Sequence, residues 1–157
     1  MAHTMSSRAS AFDTALRDVA IPALAAHGFR FDGSRTFRRL LSDGRSSQIV
    51  SFQLGRRSLE GTFTVNLGIF TEGDRLGVRP DHAKEYDCQF ERRTRIGALI
   101  PPRFPRLASL PFVGMLFGIP DKWWPISDDL SRTSASVSTA VDMITGHGLG
   151  WLSARGP

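Results

Sequence analysis

The stretch ERRTRIG, residues 91–97, carries three arginines within four positions, and arginine is the side chain best suited to grip an anion. Its planar fork donates two parallel hydrogen bonds to a carboxylate or phosphate. Read as extended chain, the stretch places Arg92 on the face of Phe90, and Arg93 and Arg95 on the face of Glu91. An arginine on an apolar face must pair with a carboxylate or lie at the sheet margin, because an unpaired buried charge is costly. Arg92 is therefore either half of a structural ion pair or a ligand for an anion.

Two more groups of side chains belong with these arginines. Gln53, Thr64 and Asn66 share the polar face of two alternating segments. That face is either a solvated sheet surface, as antiparallel sheets commonly have, or a shallow groove for a ligand or a partner's peptide. The stretch DKWWPISDDL, residues 121–130, holds Trp123 and Trp124 side by side. Trp124 precedes Pro125, which pushes its backbone toward an extended conformation. Neighbouring side chains then diverge by nearly half a turn. One ring is expected to close the core ahead of a second helix. The other is expected at the surface, facing solvent or the arginines of ERRTRIG. The candidate binding residues are Arg92, Arg95, Trp123, Trp124, Asn66 and Gln53.

Other chemistries find less support. Cys88 is the single cysteine, which excludes an internal disulfide framework and a multi-cysteine metal site and fits a reducing cytoplasm. It reads as a buried, inert thiol on an apolar strand face. His3, His27, His82 and His147 show no metal-ligand spacing, and GVRPDH and GMLFG lack the spacing and lysine of a phosphate loop. No catalytic residue, metal or cofactor is assigned, and the reading leans away from an enzyme.

The net charge is +5, and all twenty basic residues except Lys84 and Lys122 are arginine. A GC-rich genome or an arginine-lined site would each produce that bias; basic charge by itself bears on solubility and non-specific affinity, not on fold. Arg93 and Arg95 could extend a basic outer stripe with Arg38, Arg39, Arg56 and Arg57, which raises nucleic acid as a partner. Against it stand the scarcity of lysine, the interspersed Glu60 and Glu91, and the lack of any helix-turn-helix, zinc or aromatic RNA-binding signature. Nucleic acid is not expected. LASLPFVGMLFGIP is the most apolar run, but it is too short to span a bilayer and is broken by Pro111 and Gly114, so no membrane association is expected.

The elements that must position these residues follow from periodicity. SSRASAFDTALRDVAIPALAAHGF predicts an amphipathic helix with Phe12, Leu16, Val19, Ala23 and Leu24 on one stripe. Ser6, Ser7 or Ser10 would cap it, Pro22 would kink it and Gly28 would stop it. Phe29, Phe31 and Phe37 lead into short strands, with a turn at Asp43-Gly44. In SQIVSFQLG, Val50, Phe52 and Leu54 share one face. In GTFTVNLGIF, Phe63, Val65, Leu67 and Ile69 alternate strictly with polar or small residues, which marks a half-buried strand. GRRSLEG between them predicts an antiparallel hairpin. YDCQFERRTRIGALI alternates through Tyr86, Cys88 and Phe90 and reads as a further strand. Pro101 to Pro120 looks like an irregular excursion packing its apolar residues onto the core. A second helix is expected from a cap at Ser127, with Leu130, Val137, Val141 and Ile144 inward and Gly146 or Gly148 at its end. The fold class is thus α+β: an antiparallel sheet of about four to five strands with N-terminal and C-terminal helices packed on one face. Residues 6–152 read as a single domain, and residues 1–5 as disordered or foreign to a native start at Met5.

The segments GFRFDGSRTFRR, FTVNLGIF, CQFERRTRIGAL, DKWWPI and HGLGWL resemble, in order, a bacterial domain-of-unknown-function family, DUF4304. The resemblance runs from about Phe12 to Leu152, with residues 101–120 longer than its pattern. It implies a small cytoplasmic bacterial α+β domain without an established activity, and it transfers no catalytic residue. The expected function is non-enzymatic binding through a sheet face or groove to a protein partner. By analogy with other small α+β proteins, one form would be an immunity-type or stress-system partner. The alternative is a domain, or an enzyme, that holds an anionic small molecule between arginine and tryptophan.

Overall fold

The structure, a computed structural model, describes residues 2–100 and 121–155, with side chains from residue 7 onward. The proline-rich excursion of residues 101–120 lies outside the described residues, and Ser6, Ser7 and Ser10 do not cap the first helix, whose backbone begins at Ala2 and takes all three inside it. Helix α1 (Ala2–Ala15) passes through a π-helical turn (Leu16–Ala20) into α2 (Ile21–Ala25). The backbone responds to Pro22 just ahead of it. Ile21 donates its N–H to the Leu16 carbonyl, five residues back, so the ladder widens where proline would break it. Gly28 ends the segment at φ +82°, a conformation that disfavours any side chain.

Six strands follow: β1 (Arg30–Phe31), β2 (Thr36–Leu40), β3 (Ser46–Leu54), β4 (Thr62–Thr71), β5 (Arg93–Arg95) and β6 (Trp124–Pro125). All neighbours are antiparallel, in the order β1-β2-β3-β4. Beyond β4, β5 and β6 share one edge. Arg95 lies opposite Asn66, Trp124 opposite Phe63 and Pro125 opposite Thr62, so β5 and β6 are two pieces of a single edge strand interrupted by residues 96–123. Pro125 is tolerated there because an edge position can forgo its N–H.

Helix α3 (Leu130–Met143) continues through a second π-helical turn (Ile144–Gly148) into α4 (Leu149–Ala154). Its cap is Asp129, whose carboxylate accepts from the Ser131 and Arg132 N–H groups, rather than Ser127. The Ser127 hydroxyl accepts from the Asp129 N–H, and Thr133 Oγ1 bonds both backbone groups of Ser127. Ser127 thus shapes the turn and leaves the capping to Asp129, which also leaves Leu130 42 % exposed. Nor does Gly148 stop the helix. A β-carbon there would lie 3.2 Å from Leu67 and 3.3 Å from Ile96, so glycine lets the helix approach the sheet closely.

Both helical segments pack on one sheet face. Phe12, Leu16, Leu24, Val137, Ile144 and Leu152 meet Phe37, Val50, Phe52, Phe63, Val65 and Leu67. The opposite face, expected to be open to solvent, is largely covered by the chain between β4 and β5. Ile49 and Phe70 pack there with Ala83 and Cys88, and Thr64 and Asn66 are buried. Asp32 pins this cover down: its carboxylate takes Arg38 of β2 at 2.9 Å and Lys84 of the cover at 2.7 Å. Arg38 also donates to the Ala83 and His82 carbonyls.

Two expectations fail here. YDCQFE is no strand: it forms 3₁₀ turns at Glu85–Asp87 and Phe90–Arg92, and only Arg93–Arg95 pairs with β4. Asp87 accepts from the Lys84 N–H, a local bond that competes with a sheet ladder. Of the alternating trio only Cys88 is buried, while Tyr86 and Phe90 are exposed. The basic outer stripe does not exist either. Arg38 and Arg39 point to opposite faces of β2, and Arg39 donates to Gln48 and to the His27 carbonyl with its guanidinium over the Phe29 ring.

Candidate functional site

The two tryptophans part as their backbone dictates. Trp124 lies on the helix side, 3 % exposed, its ring stacked on Phe63 at 5.4 Å. Its Nε1 has no hydrogen-bond partner among the described residues. Trp123 faces the other way, toward Arg95, whose guanidinium sits 5.4 Å from the ring centroid. Asp121 binds both: its carboxylate accepts from Arg95 Nη1 at 2.6 Å and from Trp123 Nε1 at 2.9 Å.

Strand register brings the polar sheet residues to the same place. Arg95 pairs with Asn66 across the β4–β5 ladder and donates from Nε to Asn66 Oδ1 at 3.3 Å. Asn66 Nδ2 in turn donates to Gln53 Oε1 at 2.7 Å. Thr64 Oγ1 donates to the Lys122 carbonyl, tying the approach to β6 down beside them. Of the six residues picked out by sequence, Arg95, Trp123, Asn66 and Gln53 therefore form one connected cluster. Trp124 belongs to the core. Arg92 turns away, donating to Thr71 Oγ1 at 2.9 Å and pairing with Asp74 at 3.3 Å, which makes it structural.

Gln53, Asn66 and Arg95 of this cluster, with Asp121, line a groove of about 460 Å³, whose other walls include Glu85, Phe90 and Arg93. That volume falls within the range typical of ligand sites. Arg93 is half-buried, with its guanidinium 5.4 Å from the Phe90 ring centroid, and it makes no ion pair with any described residue. Phe90 is 80 % exposed. Glu85 is half-buried, and its carboxylate makes no hydrogen bond or close ion pair among the described residues. Burial pushes its carboxyl above the usual range, and the Arg93 and Arg95 charges only partly offset this. Sequence reasoning missed Arg93, Glu85 and Phe90. Read as one continuous strand, the segment puts Arg92 rather than Arg93 on the apolar face, and the turn bond from the Lys84 N–H to Asp87 that interrupts it is not encoded in a hydrophobic pattern.

A second hollow, of about 750 Å³, is lined by Arg75, Arg79, His82, Lys84 and Tyr86. Its arginines and lysine are already matched: Arg75 with Asp87, Arg79 with Asp81, Lys84 with Asp32. Cys88 is buried, and desolvation, helped by nearby carboxylates, pushes its thiol up to about 12, which suppresses the nucleophilic thiolate. Among the described residues no three His, Cys, Asp or Glu side chains gather as metal ligands, and no helix is long and apolar enough to cross a membrane.

A family model described as "Domain of unknown function (DUF4304)" matches residues 19–154. No curated protein and no solved structure matches the chain.

Proposed function

Since the chain belongs to the DUF4304 family, whose description assigns no activity, its role rests on its own surface, and we propose that it is a non-enzymatic binding domain for an acidic segment of a protein partner. The observation that carries this reading is Arg93. Its neighbours Arg92 and Arg95 are each matched by a carboxylate, whereas among the described residues no carboxylate lies within ion-pairing distance of the Arg93 guanidinium, Glu85 acting on it only from farther off. A half-buried guanidinium held against an aromatic face loses little freedom when a carboxylate docks, which favours bidentate capture. Phe90, exposed beside it, supplies apolar area for a neighbouring partner side chain.

Affinity capture from the source cells followed by mass spectrometry tests the reading, with wild type and Arg93→Ala run in parallel. The captured partner should bind Arg93→Ala about tenfold more weakly by calorimetry, a larger loss than most interface residues show. Binding should also weaken with salt. Equal capture by both proteins would remove Arg93 from the interface and end the proposal.

A further inference from the structure

The groove holds one more charged group without a close ion pair among the described residues. Glu85 offers a carboxylate where Arg93 offers a guanidinium, and neither has a hydrogen-bonded counterpart among the described residues. Resting on the reading above, we propose that the groove selects a mixed-charge segment, in which an acidic side chain docks on Arg93 and an adjacent cationic side chain docks on Glu85. The argument is charge complementarity. A purely acidic segment would leave Glu85 facing like charge in a partly desolvated site, which is unfavourable. A flanking lysine or arginine would instead give Glu85 the donors it lacks.

The remaining wall fits an extended peptide. Glu85 packs directly on β4: a β-carbon on Gly68 would lie 3.5 Å from the Glu85 Cα, and Gly68 stands opposite Arg93 in the ladder. The negative and positive sites are thus both set against β4, Arg93 from β5 and Glu85 from the turn packed on Gly68, with Phe90 beside Arg93 for an apolar neighbour. Gln53 offers a side-chain amide at the groove floor for the peptide backbone.

Capped synthetic peptides containing Phe-Glu-Lys, Phe-Glu-Gln or Phe-Gln-Lys provide the test, with dissociation constants measured by fluorescence anisotropy. Wild type should bind Phe-Glu-Lys about two- to fivefold more tightly than Phe-Glu-Gln, the span of one partly exposed charge pair. In Glu85→Gln that ratio should collapse to about one, while Arg93→Ala weakens both Glu-containing peptides. Equal binding of the first two peptides by wild type overturns the mixed-charge inference and leaves the acidic-segment reading standing. So does a ratio that survives in Glu85→Gln. If no Glu-containing peptide binds more tightly than Phe-Gln-Lys, the parent reading fails as well. The wild-type comparison does not depend on any variant folding.

Discussion

At residue scale, Trp123 and Trp124 show how far local stereochemistry carries. Their divergence was legible because Pro125 fixes the preceding backbone as extended, and extended chain alternates its side chains whatever surrounds it. What each ring meets was not legible, since Phe63 and Arg95 reach them through strand register. The two should respond differently to truncation. Trp124→Ala removes a buried ring stacked on Phe63 and should cost about 3–5 kcal/mol in urea denaturation followed by circular dichroism. Trp123→Ala should cost about 1 kcal/mol or less, because it removes a partly exposed cation–π contact and one hydrogen bond. A similar contrast separates adjacent arginines. Arg92→Ala strands the nearly buried Asp74 carboxylate and should cost about 1–3 kcal/mol. Arg93→Ala should shift stability by about 0.5 kcal/mol or less.

At the scale of elements, β3 and β4 were readable from the alternation of Val50, Phe52, Phe63, Val65 and Leu67, since a strand buried on one face imposes that period itself. The chain from Glu85 to Arg92 imitates the same period and is not a strand. Its turns are decided by hydrogen bonds such as Asp87 to the Lys84 N–H, which a hydrophobic pattern does not encode. Gly68 is where this cover touches the sheet. A β-carbon on Gly68 would lie 2.7 Å from Cys88 Sγ. Gly68→Ala should therefore cost about 1–3 kcal/mol through overpacking. Cys88→Ala removes that sulfur, so the double variant should be more stable than the sum of the two single changes predicts. A double-mutant cycle in urea measures the coupling. The nearest alternative obstacle, the Glu85 Cα, sits at ordinary contact distance.

For the whole molecule, the layers are helices, sheet and an irregular cover, and Asp32 links the last two through Arg38 and Lys84. Burial pushes the Asp32 carboxyl up, but hydrogen bonds from Lys84 and Ser34 together with the Lys84 charge outweigh this and hold it well below the usual carboxylate range. A carboxyl depressed in the folded state contributes stability that is complete above its unfolded value of about 3.9. That contribution is lost as pH falls below it toward the folded value, because the unfolded chain then takes up protons the native state refuses. Urea midpoints measured against pH should accordingly drop below about pH 4 in wild type. Asp32→Asn should start from a lower midpoint at neutral pH and show a shallower fall over the same interval.

The divided edge strand has a consequence for how this molecule can change. Between Arg95 opposite Asn66 and Trp124 opposite Phe63, only Thr64 and Val65 of β4 lie unmatched by the two pieces, so the ladder itself calls for a connection of two positions. The chain places residues 96–123 there instead. Connection length at this point is set by nothing in the hydrogen-bond ladder, and each piece keeps its own register with β4. Variation can enter beside the groove while the alignment of the sheet stays as it is.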